Sequence, residues 1–489
     1  MSLAENLNSP NVNVASASPE GMQMLLARQK AAFLRDGPPS AEKRIEALDR
    51  CIGLLVDHKQ EIMDALASDF GHRSKDQTLL TDVFGSIEPL KYAKANVRKW
   101  MRIEKRKPAF PLGFMGARAE VHYVPKGVVG VISPWNFPIN LTFSPLAGIL
   151  ASGNRVMIKP SEYTPASGEL MARMFRTAFD ETEIAVITGG PAIGEAFSRL
   201  AFDHLIFTGS TAIGHHVMRA AAEHLVPVTL ELGGKSPVIL SNTASMSDAT
   251  TKIMAGKMMN AGQICLAPDY VFVPEARLEG FVSGAQAAVK AMYPTLKDNP
   301  DYTSVINQRH YDRLNAYIED ARQKGAKIIE INPAKENFSQ QPHYKIPPTL
   351  VLDPSDDMKI MQDEIFGPLL PVKTYRQIDE VIGYINDHPR PLGLYYFGQD
   401  STEQDRVLSR TTAGGVTIND VIMHVSMEDL PFGGVGPSGM GAYHGIDGFR
   451  TFSHAKAVYS QAKLDVVGKM MRPPYGDAFR KMLGGRVKR

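Results

Sequence analysis

Short apolar runs alternate with helical segments between residues 128 and 230, and this alternation constrains the fold more than any other feature. Runs such as Val128–Ile132 and Leu205–Phe207 are typical of strands that are buried on both faces. Strand–helix–strand alternation predicts right-handed crossovers and therefore a parallel, doubly wound α/β sheet. Because ligands bind such sheets beyond the carboxyl ends of the strands, functional residues are expected in the turns that follow them.

The same alternation resumes after Leu232 and continues to about Phe432, so a second α/β domain is expected there. A length of 489 residues has room for both domains and for further elements. Ahead of them, a long helix is expected to begin after Ser40 and to end at Gly71, with Cys51 beside its apolar stripe. Cys51 is therefore interpreted as a small buried side chain.

Cysteine content and charge exclude several classes of protein. Cys51 and Cys265 are the only cysteines in the sequence, which rules out a disulfide framework and a cysteine-rich zinc site, and no metal is expected. Few thiols in a long chain are typical of a reducing compartment, so we expect the cytoplasm. A net charge of about +2 supplies no excess of basic residues for a nucleic-acid partner.

The two ends of the sequence show no recognisable targeting or membrane-spanning signal. Residues 1–18 lack a basic start and an apolar core, so a disordered tail is expected rather than a signal peptide. The longest apolar stretch, near residues 141–152, is too short to span a bilayer. Eight Lys and Arg side chains lie between Lys463 and the end. A solvated basic tail is favoured for them, and contact with a membrane surface is the alternative.

Two turns after predicted strands have features of dinucleotide binding. One contains Gly209, Ser210 and Gly214, and it opens a helix whose free N–H groups suit a pyrophosphate. The middle glycine of the usual fingerprint is missing, so a simple helix cap explains this turn equally well. The other turn holds Lys159 and Glu162, which suit ribose hydroxyls, although an exposed ion pair would look the same. A carboxylate there repels a 2′-phosphate, which favours NAD over NADP.

Three side chains are candidates for catalysis. Cys265 lies in a polar, glycine-bearing segment, which suits a reactive thiol better than a core thiol. Glu231 ends a predicted strand beside two glycines and is a candidate general base. Asn136 lies between two prolines in a rigid turn, where its amide could donate to a developing oxyanion. Taken singly, each also has a non-catalytic interpretation: Cys265 as a loop thiol, Glu231 as a surface carboxylate and Asn136 as a turn asparagine bonded to its own backbone.

A further glycine-rich segment, Gly233–Ser236, is excluded as a phosphate-binding loop. That motif requires a glycine five residues before its Gly-Lys step, and Thr229 stands there.

The order of these motifs resembles that of the aldehyde dehydrogenase superfamily from about residue 20 to 460. The matching blocks are PWNFP at 134–138, KPSE at 159–162, FTGST at 207–211, LELGGKSP at 230–237, GQIC at 262–265, EIFGP at 364–368 and PFGGVGPSGMG at 431–441. In the C-terminal half, PLGLYYF, GGVTINDVIMH and GMGAYHGIDGFRTFSH are similar to the class 3 and fatty-aldehyde branch.

The resemblance implies a role for each matching residue. Cys265 would be the nucleophile, Glu231 the general base and Asn136 the oxyanion donor. Contacts to the cofactor are expected from Trp135, Lys159, Glu162, Gly209, Ser210, Gly214, Glu364 and Phe366. By analogy, an apolar approach to the thiol would be lined by Phe137, Leu141, Met259, Ile264 and Leu266.

An architecture is implied as well. The expected parts are a Rossmann-type NAD-binding domain (19–107 and 124–230), a catalytic α/β domain (231–434), and an oligomerisation arm with the C-terminal segment (108–123 and 435–489). Residues 108–123 would form a β-hairpin and a segment near 451–461 its pairing strand. At least a homodimer is therefore expected.

The implied reaction is NAD(P)-dependent oxidation of an aldehyde to a carboxylic acid through a thiohemiacetal and a thioester on Cys265. NAD is the expected cofactor, with NADP left open. The resemblance points to coniferyl or another aromatic aldehyde, and a medium- or long-chain fatty aldehyde is the alternative.

Three other classes fit less well. A CoA-acylating relative usually lacks the base that Glu231 provides, and a cysteine hydrolase needs a histidine oriented on its thiol. A catalytically silent binding protein has no need of Cys265, Glu231 and Asn136 together.

Overall fold

The computed structural model describes residues 18–487. The expected disordered tail therefore lies outside the described residues, except for Ser18, which caps the first helix. The helices are α1 Pro19–Asp36, α2 Ala41–Asp57, α3 Lys59–Asp69, α4 Lys75–Thr78, α5 Gly85–Trp100, α6 Asn140–Ser152, α7 Pro165–Ala178, α8 Pro191–Ser198, α9 Thr211–Ala222, α10 Met246–Met258, α11 Leu278–Met292, α12 Gln308–Gln323, α13 Lys359–Gln362, α14 Ile378–Asp387, α15 Ser401–Arg410, α16 Gly445–Thr451, α17 Val466–Met470 and α18 Asp477–Arg486. The strands are β1 Glu104–Arg106, β2 Arg118–Pro125, β3 Val128–Ile132, β4 Arg155–Lys159, β5 Ile184–Val186, β6 His204–Thr208, β7 Val228–Glu231, β8 Pro237–Leu240, β9 Tyr270–Pro274, β10 Lys327–Glu330, β11 Thr349–Leu352, β12 Leu369–Tyr375, β13 Gly393–Phe397, β14 Gly415–Ile418, β15 Gly439–Met440 and β16 Ser453–Ser460.

The first sheet has six strands in the order β15-β7-β6-β3-β4-β5. All pairs from β3 to β7 are parallel, which confirms the predicted doubly wound sheet. Strand β3 is flanked by β4 on one side and β6 on the other, so the strand order reverses there. Such a switch point opens a crevice at the carboxyl ends of the strands, and the turn that contains Asn136 begins at this edge.

A second sheet carries seven strands in the order β10-β11-β12-β9-β8-β13-β14. Only β10, at one edge, runs antiparallel to its neighbour. Separate apolar clusters cover the two faces of this sheet, with Val238, Leu240 and Val271 in one cluster and Ile239 and Phe272 in the other. The predicted second α/β domain is confirmed as a sheet of its own with two packed faces.

The third sheet is antiparallel, with the order β1-β2-β16. Strand β16 pairs with β2 along its whole length, from Ser453 opposite Pro125 to Ser460 opposite Arg118. The two hairpin strands are β1 at 104–106 and β2 at 118–125. Most of the expected hairpin span of 108–123 is therefore the loop that connects them. Two prolines and two glycines between residues 108 and 116 keep this stretch out of the ladder.

Residues 439–451 pack with the first sheet, although the expected division grouped 435–489 with the arm and the C-terminal segment. β15 pairs with β7 through Gly439 and Glu231, and α16 packs on α6. A side chain at Gly439 would collide with the carbonyl oxygen of Leu230, so this close approach depends on glycine.

The predicted helix from Ser40 to Gly71 is broken at His58. The backbone leaves helical geometry at that residue, and α3 starts anew with Ile62 N–H donating to the His58 carbonyl. The break lets one apolar stripe serve two partners, since α2 packs on α5 whereas α3 packs on α7. Cys51 is fully buried in α2, as predicted.

Candidate active site between the two parallel sheets

A constrained turn places Cys265 just before β9. The two residues Asn260 and Ala261 have φ of 50° and 51°, in the left-handed region that non-glycine residues rarely adopt. Gly262 follows with φ 75°, where a side chain would collide with the carbonyl oxygen of Gly367. Gln263 is buried. Its side-chain amide donates to the Ser304 carbonyl and accepts from Ile306 N–H. Backbone strain of this kind is kept only where the surroundings enforce it, as at functional sites.

Glu231 is the last residue of β7 and is only 2% exposed. Its carbonyl accepts from Gly209 N–H at 3.0 Å, which joins it to the turn after β6. Its carboxyl Oε1 is buried and has no hydrogen-bond partner among residues 18–487. Because an ionised carboxylate is costly in such surroundings, burial raises the pKa of Glu231 well above its usual range.

Cys265 and the two acids Glu231 and Glu364 share one electrostatic environment. Burial raises the pKa of the Cys265 thiol well above its usual range, and the charges of both carboxylates raise it further. Burial also raises the pKa of Glu364 to about 8. The structure thus brings together the predicted nucleophile and base, and it gives the base an affinity for protons unusual for a carboxylate.

Asn136 is tied directly to the thiol segment. Its side-chain Nδ2 donates to the Gln263 carbonyl at 3.1 Å, two residues before Cys265, and its own carbonyl accepts from Asn260 Nδ2 at 3.2 Å. The side chain is 3% exposed, so its amide group is held in one place. One of the two Nδ2 hydrogens is used by the Gln263 bond, which leaves the other for an oxyanion.

A buried ion pair fixes the turn that carries Asn136. Arg73 Nη1 donates to the Asn136 carbonyl at 2.6 Å, and Arg73 Nη2 donates to Asp82 Oδ2 at 2.6 Å. Both side chains are 0% exposed. The guanidinium also lies over the rings of Phe70 and Phe137 at 4.7 and 5.0 Å. Sequence reasoning missed Arg73 and Asp82, because they precede the Asn136 turn by more than 50 residues and belong to no motif we recognised.

On the cofactor side, the turn after β6 opens α9. Ser210 caps this helix, its Oγ accepting from Ile213 N–H at 3.4 Å. Gly209 packs on the ring of Phe207, and Gly214 is buried against Leu232. The helix N-terminus therefore faces the carboxyl end of the sheet, where a diphosphate can be held by backbone N–H groups.

Lys159 and Glu162 lie together at the end of β4. Lys159 Nζ is 3.7 Å from Glu162 Oε2 and donates to the Pro160 carbonyl at 2.7 Å. The lysine is 2% exposed, and burial lowers its pKa although Glu162 acts in the opposite direction. A buried lysine beside a half-exposed carboxylate is a more specific arrangement than the surface pair that the sequence also allowed.

Glu364 is positioned by three separate groups. Its carboxylate lies directly over Gly233, where any side chain would collide with it. Lys235 pairs with Asp269 and donates to the carbonyl of Asp363 at 2.8 Å, and Asp269 accepts from Ile365 N–H at 3.0 Å. Lys235 is thus structural, in agreement with the exclusion of a phosphate-binding loop.

Trp135 and Phe366 meet edge to face with ring centroids 5.3 Å apart. Phe366 has a φ of 50°, so its backbone is strained like that of the thiol turn. His310 lies 5.3 Å from Trp135, and burial together with Arg313 lowers its pKa to about 4, which keeps it neutral. His310 was not found from the sequence because it lies in an ordinary amphipathic helix.

The five expected lining residues all belong to one apolar cluster that also contains Cys265. Leu141 and Met259 are partly exposed, whereas Phe137 and Ile264 are 9% and 8% exposed. Leu266 is only 2% exposed. Its carbonyl accepts a hydrogen bond from Tyr395 Oη, and its side chain packs near Gly393. Leu266 therefore fits a core role better than the role of an open wall.

Four polar or aromatic side chains near the site were not assigned from the sequence. Tyr443 is buried close enough to Glu231 and Cys265 that their charges, after burial, raise its pKa. His424 and His444 each have a buried ring nitrogen without a partner among residues 18–487, and burial lowers their pKa to about 4 and about 3. Lys257 is fully buried, and burial lowers its pKa to about 8. Tyr443 and both histidines lie in the blocks GGVTINDVIMH and GMGAYHGIDGFRTFSH, whose resemblance to the class 3 branch implied no role for single residues.

Residues 18–487 show neither a cluster of metal ligands nor a helix fit to cross a membrane. No group of three or more His, Cys, Asp or Glu side chains there is arranged to hold a metal ion. None of the helices in this range combines the length and the apolar character that crossing a bilayer requires.

Comparison with known proteins places this geometry in a family. The profile described as Aldehyde dehydrogenase family matches residues 7–458. The chain is 63% identical over 487 residues to a probable coniferyl aldehyde dehydrogenase of Caulobacter vibrioides, covering 99% of this chain and 100% of that protein. It is 53% identical over 472 residues to a coniferyl aldehyde dehydrogenase of a Pseudomonas species, covering 96% and 97%.

Solved structures agree. The substrate-bound state of Staphylococcus aureus AldH matches with a TM-score of 0.88 and 35% identity over 95% of this chain and 99% of that one. An aldehyde dehydrogenase of Mycobacterium tuberculosis, complexed with NAD+, matches with a TM-score of 0.81 and 26% identity over 92% of both chains. The chain is therefore a member of the aldehyde dehydrogenase family, with the nicotinamide-dependent oxidation of aldehydes as its activity.

Proposed function

We propose that this protein oxidises coniferyl aldehyde, or a closely similar aromatic aldehyde, to the carboxylic acid with Cys265 as nucleophile. The observation that carries the proposal is the shared environment of Cys265 and Glu231, with Asn136 bonded to the same turn. One side chain can attack, one can move a proton and one can hold an oxyanion.

The first step is attack of the Cys265 sulfur on the aldehyde carbon, which forms a C–S bond and a thiohemiacetal oxyanion. Because the pKa of the thiol is raised, only its thiolate fraction reacts, and Glu231 is the nearby base that can hold the displaced proton. The oxyanion accepts from the free Nδ2 hydrogen of Asn136 and from the backbone N–H of Cys265.

In the second half, the thioester on Cys265 is hydrolysed. After it has released the thiol proton to solvent, Glu231 takes a proton from a water molecule whose oxygen attacks the thioester carbon. The C–S bond then breaks to release the acid, and Glu231 returns its proton to the Cys265 thiolate. Because burial raises its pKa, the Glu231 carboxylate is a stronger base for this proton than an exposed carboxylate.

The residues present fit a nicotinamide cofactor. Glu364 Oε1 is buried without a partner among residues 18–487, its carboxylate lies over Gly233, and the Lys235–Asp269 pair binds the backbone of the neighbouring residues 363 and 365. Glu364 would bind the nicotinamide ribose, Trp135 and Phe366 would contact the ring, and Lys159 with Glu162 would bind the adenosine ribose. Gly209, Ser210 and Gly214 would support the diphosphate at the start of α9. When bound, the cofactor accepts the hydride that leaves the thiohemiacetal carbon.

NAD is the proposed cofactor in preference to NADP. Glu162 is 35% exposed at the end of β4, so its carboxylate faces the place where a 2′-phosphate would add like charge. Lys159 partly offsets this repulsion, since the two side chains are 3.7 Å apart.

The proposed substrate follows from the two relatives named for coniferyl aldehyde and from the apolar, aromatic surroundings of Cys265. A planar aromatic aldehyde buries apolar area against Phe137, Ile264 and Met259, at about 25 cal/mol for each Å² removed from water. Fatty aldehydes are the weaker candidates, since the names of both relatives specify coniferyl aldehyde, which is aromatic.

A pre-steady-state experiment tests the roles of the two central residues. Glu231→Gln should retain a burst of NADH of about one equivalent per site, formed more slowly, and lose steady turnover. Cys265→Ala should lose both phases, whereas Cys51→Ala, which removes a fully buried thiol elsewhere, should keep both. Wild-type turnover in Cys265→Ala would refute the mechanism.

A substrate panel tests the specificity. The value of kcat/KM should be higher for coniferyl aldehyde and benzaldehyde than for decanal, and higher with NAD than with NADP. A strong preference for decanal would refute the aromatic assignment while leaving the thiol mechanism intact.

The arm and the thiols bear on the state of the protein in the cell. The antiparallel sheet β1-β2-β16 has free edges at β1 and β16 within the described chain, which suits pairing with a second copy, and a homodimer is proposed. Both cysteines are free, in keeping with a cytoplasmic location. Light scattering of the purified protein should give twice the chain mass.

A further inference from the structure

The segment that follows β14 passes the reactive thiol in a constrained turn. Ile422 and Val425 pack against the apolar cluster that contains Cys265. Ile422 has a φ of 68°, and Val425 N–H donates to the Ile422 carbonyl at 3.0 Å. A β-branched residue rarely adopts a positive φ, so the surrounding packing must enforce this turn. The residues that come after the turn therefore start from a fixed place beside the thiol.

Glu428 comes three residues after Val425 and is held by neighbours on two sides. Next to it, Asp429 Oδ1 accepts a hydrogen bond from Tyr92 Oη on α5 at 2.7 Å. On the other side, the Glu428 carbonyl lies so close to Gly445 that a side chain there would collide with it. The backbone of Glu428 is thus fixed between α5 and the start of α16.

Tyr443 connects Glu428 with the reacting groups. It is buried in the same apolar cluster as Cys265 and lies two residues before Gly445. Burial raises the pKa of Tyr443 well above its usual range. The charges of Glu231 and Cys265 raise this pKa further, and so does the charge of Glu428. Glu428 therefore belongs to the surroundings of the active site rather than to a separate surface.

The carboxyl group of Glu428 lacks the partner that its neighbours have. Glu88 Oε1 accepts from Lys91 Nζ at 3.2 Å, and Asp429 accepts from Tyr92. Within residues 18–487 the Glu428 carboxyl takes part in no hydrogen bond and no ion pair, although the residue is half-buried. Burial, together with the charge of Glu88, raises its pKa to about 7. A half-buried acceptor of this kind is costly unless a ligand supplies the missing donor.

We propose that Glu428 accepts a hydrogen bond from the para-hydroxyl group of the aromatic aldehyde and so selects hydroxylated cinnamaldehydes. The inference rests on the proposed function, because it takes an aromatic aldehyde as the substrate. Such a molecule is rigid and conjugated, so its hydroxyl group is held at a fixed distance from the carbonyl that meets Cys265. A carboxyl group can accept this hydrogen bond whether or not it is ionised. Ile422 and Val425, which precede Glu428 in the same segment, suit the apolar ring.

This contact separates aromatic from fatty aldehydes more sharply than apolar burial does. Burial against an apolar wall stabilises either class in proportion to the area removed from water. A fatty aldehyde carries no donor at its far end and leaves the Glu428 carboxyl unpaired. A site that binds a substrate hydroxyl discriminates against the analogue that lacks it, because the polar group of the site then has no partner.

Kinetics with two aldehydes that differ by one hydroxyl group test the inference. The pair is coniferyl aldehyde and meta-methoxycinnamaldehyde, which lacks only the para-hydroxyl group. In wild type, kcat/KM should be at least about 10-fold higher for coniferyl aldehyde, as expected for a hydrogen bond to a carboxylate. Glu428→Leu should bring this ratio to within about twofold of one by lowering the value for coniferyl aldehyde. Glu428→Gln keeps one acceptor oxygen and should give an intermediate ratio.

Glu88→Gln is the matched control, because it removes the neighbouring carboxylate and should keep the wild-type ratio. A wild-type ratio near one, with both aromatic aldehydes oxidised, would overturn the inference and leave the proposed function intact. So would a Glu428→Leu enzyme that keeps the ratio or loses activity equally on both aldehydes. Loss of the ratio in Glu88→Gln would overturn the assignment to Glu428. Oxidation of decanal but of neither aromatic aldehyde would instead refute the proposed function, and the inference with it.

Discussion

The buried pair of Arg73 and Asp82 offers a sharp test of how the active site is held. Arg73 joins the Asn136 carbonyl to Asp82, and Asp82 Oδ1 also accepts from Asn140 N–H at 3.4 Å, at the start of α6. The perturbation is Arg73→Met, which keeps the apolar volume between Phe70 and Phe137 but removes all the donors.

The size of the effect follows from complete burial. Burial lowers the pKa of Arg73 and raises that of Asp82, in each case against the pull of its partner, so the pair itself is a costly arrangement. Removing one member of such a pair leaves the other without compensation, and the free energy of unfolding should fall by about 3–5 kcal/mol. In Arg73→Met/Asp82→Leu the loss should be at least about 2 kcal/mol smaller than the sum of the single losses.

The catalytic consequence is measured separately from stability. If Arg73 positions Asn136, Arg73→Met should lower kcat by about 100-fold, which is the typical loss when an oxyanion donor is removed. The rate is measured at a temperature well below the melting point of the variant. The matched control is Arg44→Met. Arg44 is 4% exposed and donates to the Ala151 carbonyl at 2.9 Å, without a recorded hydrogen bond to Asn136. It should lose stability while kcat stays within about twofold.

Two results would refute this reasoning. An Arg73→Met enzyme with unchanged kcat would mean that Asn136 is held without the ion pair. A double variant as unstable as the sum of its parts would mean that Arg73 and Asp82 are not coupled.

Three further predictions concern Glu364 and the thiols. Gly233→Ala should raise the KM for NAD at least 10-fold because its Cβ displaces the Glu364 carboxylate, whereas Gly190→Ala, which meets nothing within 4 Å, should not. Glu364 has a folded pKa of about 8 against an unfolded value near 4.5, so folding takes up a proton and this group lowers stability as pH rises from about 4.5 to 8. Glu364→Gln should therefore lose less thermal stability than wild type between pH 5 and pH 8, and parallel melting curves would contradict this. Under native conditions iodoacetamide should label Cys265 alone, because Cys265 is only partly buried whereas Cys51 is fully buried. Modification of Cys51 in folded Cys265→Ala, detected by mass spectrometry, would contradict this.

Local patterns in the sequence were enough to predict the first sheet. Val128–Ile132 was predicted with the bounds the structure shows, because a strand buried on both faces has an uninterrupted apolar signature that depends on nothing distant. The helix from Ser40 was predicted too long, since its apolar stripe continues across His58 and only the packing against two different helices requires a break. The place of residues 439–451 likewise depends on the contact of Gly439 with Glu231, 208 residues earlier in the sequence.

The sequence by itself determined the chemistry that is available: one thiol outside any apolar stripe, a carboxylate after a strand and an asparagine in a rigid turn. Only the tertiary structure decided what these groups are. Burial and the proximity of Glu231 and Glu364 set the pKa of Cys265, and Arg73 and Gln263 fix Asn136 from distant parts of the chain. Sequence patterns record local preferences, whereas electrostatic environment depends on which distant groups packing brings together.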